Sequence, residues 1–414
     1  MVTISEPALT FIVQLVTLCL PSVRKGGSPV SELPIRIGVV GLGLIAQGVH
    51  LPNLETLRDQ FTVTHVCDAS LDRAASVADR LPGSVRASTR FIDVLTDPDV
   101  DAVLILTPGS HGDIVLAALE QGKDVFVEKP LAYSLAEIHE LREAQVASGR
   151  VVQVGTMKAH DPLVPAARDA LGRIGRLAVV RVTVIHPTDE CQFEHIRLLN
   201  APAPDPAVTS EAEAYSLRRA REAMGDDADG PRSLYTDVLL GSVIHEAALL
   251  RALGLGLPRT TDFACVDPPL SETPASQPPR LLAVGVLPGG AQLQLSWTWA
   301  PDFPEYVEEV MAIGSAGRMR LTMPGPYLPA HRSALTVESM VDGQRTVATT
   351  QPHHSTAFVE ELRAFAASVR SGAPNVCTIE GAGEDLTFLQ QVARAAAKQA
   401  GLPVGGEAGQ GTDS

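Results

Sequence analysis

Aromatic residues are scarce, 4% of the 414 residues with only two tryptophans, and basic residues are outnumbered, 33 against 48 acids for a formal charge of -15. That charge repels a phosphate backbone, so nucleic acid is not expected as a partner. The five cysteines, Cys19, Cys67, Cys191, Cys265 and Cys377, are odd in number and contain no CxxC pair. This fits a reducing cytoplasm rather than a disulfide framework. The apolar stretch ALTFIVQLVTLCL (7–19) is short for a membrane span, and Glu6 precedes it while Arg24 and Lys25 follow. That is the reverse of a signal peptide's charge order. The stretch is expected in an N-terminal extension, 1–33, with export as the alternative reading and no membrane partner. No GxSxG elbow is present, which removes the usual signature of a serine hydrolase. Cys191 lies four residues from His195, and His353 adjoins His354, but no compact set of three or four ligands forms, so no metal is expected.

What is present describes a globular protein, 45% hydrophobic and 20% charged, long enough for two domains. From Ile35 short apolar runs alternate with helix-like stretches. IRIGVV, FTVTHVC, DAVLILT, DVFVEK and VVQVG read as buried parallel strands. The segments 72–81, 112–122 and 134–149 carry apolar residues at helical spacing. Residues 34–155 therefore read as a doubly wound α/β domain. Beyond them, longer alternating segments such as RLAVVRVTVIHP and AQLQLSWTWAP predict a second α/β domain, 156–404, with a large, mostly antiparallel sheet. A polar insertion, 189–235, is expected there as a lid or as an exposed decoration. Two amphipathic helices should occupy 356–402, and GGEAGQGTDS, 405–414, should be a disordered tail.

The strand IRIGVV runs into Gly41-x-Gly43-x-x-Ala46 and then a helix. Gly41 permits a tight turn, Gly43 lets backbone approach a pyrophosphate, and Ala46 lets helix pack on strand. The helix N-terminus adds amide donors for the diphosphate. Asp68 closes the next strand 22 residues after Ala46. A carboxylate there accepts from ribose hydroxyls and repels a 2'-phosphate, favouring NAD over NADP. The bland alternative for Asp68 is a turn or capping acid.

In DVFVEKPLAYS, Glu128, Lys129 and Pro130 stand at the carboxyl end of a strand, the edge where ligands of such sheets sit. A lysine there could bind a substrate hydroxyl and stabilise a developing alkoxide; the bland reading is a surface ion pair. GVVGLGLIAQ, ILTPGSHGDIVLAALEQGKDVFVEKPLA and QVGTMKAHDP together resemble successive signatures of the Gfo/Idh/MocA oxidoreductase family, and the likeness runs over about 34–402. The resemblance implies an N-terminal Rossmann domain, terminal helices packing back toward it, and a C-terminal sheet that forms a homodimer or homotetramer. It implies hydride transfer between NAD(H) and a secondary alcohol or ketone of a sugar, cyclitol or similar compound. It places Gly41, Leu42, Gly43, Leu44, Ile45 and Ala46 along the diphosphate and Asp68 at the ribose. Thr107, Pro108, His111, Glu128, Lys129 and Pro130 would follow the cofactor, with a cis peptide before Pro130. Lys158 would face the substrate.

The resemblance also implies a catalytic histidine, four residues after an acid, on a helix lining the pocket. In TDVLLGSVIHEAALLRALG (236–254) His245 aligns with that histidine, but the position four before it is Gly241. Asp237 is eight residues back, about 12 Å along a regular helix. It could reach the pocket only from another side or through a break near Gly241. Without the family, His245 reads as a core histidine; with it, His245 is the proton acceptor, Lys129 assists, and Asp237 and Lys158 are candidate substrate contacts. His160, His186 and His195 are lesser pocket candidates. Two other functions remain open: an NAD-dependent glycosidase or lyase-like enzyme working through transient oxidation, and a non-catalytic NAD-binding regulator.

Overall fold

A computed structural model of the chain describes residues 33–188, 190–199, 206–270, 278–328 and 332–410. The expected extension, apart from Leu33, lies outside the described residues. The first sheet comprises β1 (Ile35–Val40), β2 (Phe61–Cys67), β3 (Arg86–Ser88), β4 (Ala102–Ile105), β5 (Asp124–Glu128) and β6 (Val152–Gly155), in the order β3-β2-β1-β4-β5-β6. All its pairings are parallel. The five anticipated strands are all present. β3 escaped the sequence reading because its three residues, Arg86, Ala87 and Ser88, carry no apolar run.

Local chemistry sets the helix ends. Ser134 accepts from the Glu137 amide and Gly149 takes a left-handed conformation, bounding the helix Leu135–Ser148. Thr356 and Gly372 do the same for Ala357–Ser371, and Thr378 and Gly401 for Ile379–Ala400.

The second sheet holds β7 (Leu177–His186), β8 (Thr261–Asp267), β9 (Arg280–Val286), β10 (Gln292–Trp299), β11 (Val307–Gly314), β12 (Gly317–Met323), β13 (Ala334–Val341) and β14 (Gln344–Thr350). Its order is β14-β13-β12-β11-β7-β10-β9-β8, and only the β7–β10 pair is parallel. Alternation along β7 and β10 buries Val180, Val182, Val184, Leu293, Leu295 and Trp297 on one face. That face shares one core with β4, β5 and β6 and with Leu239, Val243, Ile244 and Leu250. The helices at 356–402 return to the first sheet: Gln153 Nε2 donates to the Glu361 carbonyl at 2.7 Å and the Val154 amide to the Cys377 carbonyl at 2.9 Å.

One expectation fails at the C-terminus. Residues 406–410 form a short helix instead of a disordered tail. The Glu407 carboxylate accepts from the Leu135 and Ala136 amides at 2.8 and 2.9 Å. Those amides begin a helix and have no intrahelical acceptor, so an acid there gains both hydrogen bonds and a favourable dipole. Residues 411–414 lie outside the described residues.

Candidate active site

Gly41 has φ +91°, and a Cβ there would sit 2.8 Å from the Leu106 carbonyl carbon and the Thr107 nitrogen. Only glycine allows this approach of the first loop to the end of β4. A Cβ on Gly43 would meet nothing within 4 Å, leaving the loop face open. Ala46 is fully buried against the sheet. Leu44 and Ile45 open the helix, which winds as a π-helix over Ala46–His50 before continuing as an α-helix over Leu51–Thr56. These features fit a dinucleotide diphosphate: an open glycine cradle at a helix N-terminus, at the point where the strand order reverses between β1 and β4.

Asp68, expected at the ribose, is buried and its carboxylate binds the loop. It accepts from the Leu42 amide at 3.0 Å and the Ser70 amide at 2.9 Å, and pairs with Arg73 at 3.0 Å. On the other side of the crevice, Thr107 and Pro108 sit at the surface after β4. His111, expected along the cofactor, is buried instead as a brace: its ring nitrogens lie 2.6 Å from the Thr107 carbonyl oxygen and 2.7 Å from that of Pro130. The Lys129–Pro130 peptide is cis. Glu128 takes the Lys129 amide at 3.1 Å and pairs with the buried His50 at 2.9 Å.

The stretch predicted as an ordinary helix around His245 is wider at its start. Leu234–Val243 is a π-helix, and Ile244–Ala252 continues as an α-helix. Such windings frequently mark functional sites. The Lys129 ammonium donates to the carbonyl oxygen of Gly241 on this segment. His245 is buried and its Nδ1 has no hydrogen-bond partner. Burial first, then the charges of Lys129 and Lys158, hold the imidazole pKa well below its usual range. Burial likewise lowers the Lys129 pKa, against the pull of Glu128.

Asp237 does not join this pair. It is exposed, and its carboxylate accepts from Ser233 Oγ at 2.6 Å and Thr236 Oγ1 at 2.8 Å. Lys158 also departs from expectation. It is buried, its ammonium pairing with Glu246 at 2.9 Å, with Glu308, and with Tyr306 Oη at 3.2 Å. Burial alone would lower its pKa, but the two carboxylates reverse this and raise it well above the usual value. The ammonium pins the helix of His245 to β11 and is fully engaged there. Of the lesser histidines, His160 is largely buried and pushed down to about 4 by burial, and His195 is exposed. His186, at the end of β7, is partly buried and stacks on Trp299.

The insertion touches both lips of the crevice. Ile196 packs on Gly48, and the Leu199 amide donates to Gln47 Oε1 at 2.8 Å. From the helix Pro206–Met224, Ser216 Oγ accepts from the Ser110 amide at 3.0 Å and Tyr215 Oη donates to Glu137 at 2.7 Å. The Glu246–Lys158–Glu308 knot and the Gly241 carbonyl were missed by sequence reasoning. Glu246, charged and adjacent to His245 in an apolar run, was the one available signal.

Residues 35–156 match the family model described as an oxidoreductase family with an NAD-binding Rossmann fold. That match spans the first sheet and its helices, under a third of the chain. The chain is similar to inositol 2-dehydrogenase 3 of Saccharopolyspora erythraea, 43% identical over 133 residues, covering 31% of this chain and 38% of the relative. Against scyllo-inositol 2-dehydrogenase (NAD(+)) of Bacillus subtilis it is 39% identical over 148 residues, 35% of this chain and 43% of the relative. The chain thus matches well under two thirds of the length of these curated relatives. The fold extends further. KijD10, a 3-ketoreductase from Actinomadura kijaniata solved with TDP-benzene and NADP, superposes with a TM-score of 0.64 over 88% of this chain and 98% of its own, at 21% identity. A probable dehydrogenase from Thermotoga maritima gives 0.62 over 88% and 97%, also at 21% identity. At that identity the likeness describes the fold, which this chain shares over most of its length.

Proposed function

We propose that the protein is an NAD(H)-dependent oxidoreductase acting on a secondary alcohol or ketone of a cyclitol, sugar or similar compound. The observation that carries this reading is the convergence of Lys129 and His245: the lysine closes β5 at the crevice and bonds to the helix turn that precedes the histidine. The names of the inositol dehydrogenase relatives support the substrate class.

When bound, the nicotinamide supplies a hydride acceptor or donor at C4. The chain's own residues handle the proton. His245 is kept neutral by burial and nearby positive charge, so it can accept the hydroxyl proton at neutral pH. An ammonium has three donors. Lys129 uses one on the Gly241 carbonyl and keeps the others for the substrate oxygen, whose developing negative charge it stabilises. Asp68 favours an unphosphorylated ribose, hence NAD over NADP, although Arg73 beside it softens the preference. Self-association as a homodimer or homotetramer through the second sheet, and a cytoplasmic location, belong to the same proposal.

The test is isotope transfer. Cyclic polyols deuterated at the carbinol carbon should deliver deuterium to the nicotinamide with a primary isotope effect and stoichiometric NADH. Product formation without NADH accumulation would instead favour transient oxidation and elimination, and would refute the simple dehydrogenase.

A further inference from the structure

The few aromatic residues of the chain are not scattered evenly. Register on the covered face of the second sheet places Trp297 beside Val184 of β7 and Val184 beside Glu308 of β11. One rung further toward the strand ends, Trp299 pairs with His186, and Tyr306 lies on the far side of His186. The rings meet: His186 and Trp299 stack with centroids 5.5 Å apart at 28°, and His186 and Tyr306 meet edge to face at 5.5 Å.

This row adjoins the helix of His245 at two points. Trp297 Nε1 donates to Ser242 Oγ at 2.9 Å, and Tyr306 Oη accepts from Lys158, which holds Glu246. Trp297 and Tyr306 are buried, whereas Trp299 and His186 keep exposed surface. His186 turns Nδ1 to the Pro187 carbonyl at 2.8 Å, so Nε2 is left for another partner.

We infer that the Trp299–His186 pair is a substrate subsite that holds the C–H face of a polyhydroxylated ring beside His245. The inference rests on the proposed oxidoreductase reading for the site and adds what recognises the substrate. These stacked, partly exposed rings carry negative π-faces, which attract the positively polarised C–H bonds of carbinol carbons. A rigid ring covers that platform without freezing rotatable bonds, whereas an acyclic polyol must order its whole chain. The free ring nitrogen of His186 and the Lys129 ammonium then serve hydroxyls around the ring.

Trp297 and Trp299 are the only tryptophans, so emission reports on the subsite directly. The probes are myo-inositol, D-glucose and acyclic sorbitol, titrated into NAD+-loaded protein. Trp297→Phe leaves Trp299 as sole tryptophan, excited selectively over tyrosine, and NADH binding checks that each variant is folded. A saturable emission change is expected with at least one ring probe and not with sorbitol. Trp299→Leu should weaken that probe's Kd by about tenfold or more in calorimetry, and Trp299→Phe should restore most of it. Unchanged affinity in Trp299→Leu, an equal response to sorbitol, or no binding of either ring probe overturns the subsite. His245→Ala should keep the ring response. Ring binding without any turnover in the unmodified protein would sink the oxidoreductase reading and leave the subsite standing.

Discussion

The Lys129 ammonium is hydrogen-bonded to the main-chain carbonyl of Gly241, 112 residues away and four residues before His245. A carboxylate is expected at position 241 by family resemblance. A carbonyl dipole in its place gives the lysine an acceptor but no counter-charge, and burial then keeps the Lys129 pKa below its usual value.

Restoring the acid should therefore change the lysine's titration. A Cβ at Gly241 would meet only the Thr236 carbonyl oxygen, at 3.7 Å, so the space is open. Gly241→Asp should fold and raise the Lys129 pKa, moving the alkaline limb of kcat/KM to higher pH. Gly241→Ala should leave that limb in place. Coincident profiles for the two variants would contradict the role given to the carbonyl.

The acid limb belongs to His245. Its folded pKa lies well below 6.5, so the unfolded chain binds the proton more readily and the histidine's contribution lowers stability as pH falls through that value. Activity should persist below pH 6.5 and fail only when the imidazole charges. Lys129 is the second cause of the depression, after burial. In the residual activity of Lys129→Met the acid limb should move upward, and a downward move would be inconsistent with that electrostatic origin.

Lys158→Met should destabilise the protein without direct contact with substrate. It strands Glu246 and Glu308, whose partner it is, and breaking such a buried pair costs about 3–5 kcal/mol. The deficit in thermal midpoint should shrink as pH falls, because protonation neutralises the stranded carboxylates. A deficit that grows at acid pH would argue against the pairing.

Asp68→Ala removes an acceptor from the Leu42 amide and frees Arg73. NADH should bind at least about tenfold more weakly, and the NADH/NADPH affinity ratio should fall. Fluorescence titration with both nucleotides measures this. An unchanged ratio would remove Asp68 from cofactor selection.

Much of the fold was legible because parallel strands buried on both faces read as unbroken apolar runs, and the glycine loop announces itself by spacing. β3 was invisible for the opposite reason, having no apolar run. The tail was misread because Gly406–Gln410 is held by Glu407 on a helix start over 270 residues earlier, a contact composition does not encode. In the site, Lys129 was singled out by its place at a strand end, and His245 by the family resemblance alone. The part played by Gly241 was not legible, since a main-chain carbonyl carries no residue code, and Lys158 looked like a pocket cation until Glu246 and Glu308 closed on it.

The central claim is that Lys129 and His245 act together on one hydroxyl proton and its oxygen. The most direct measurement is single-turnover NAD+ reduction with the ring polyol that the unmodified protein oxidises, in His245→Ala and Lys129→Ala, with NADH affinity measured alongside. Each variant should keep NADH binding and lose about 10²–10⁴-fold in rate. Rates near those of the unmodified protein in both variants would contradict the account.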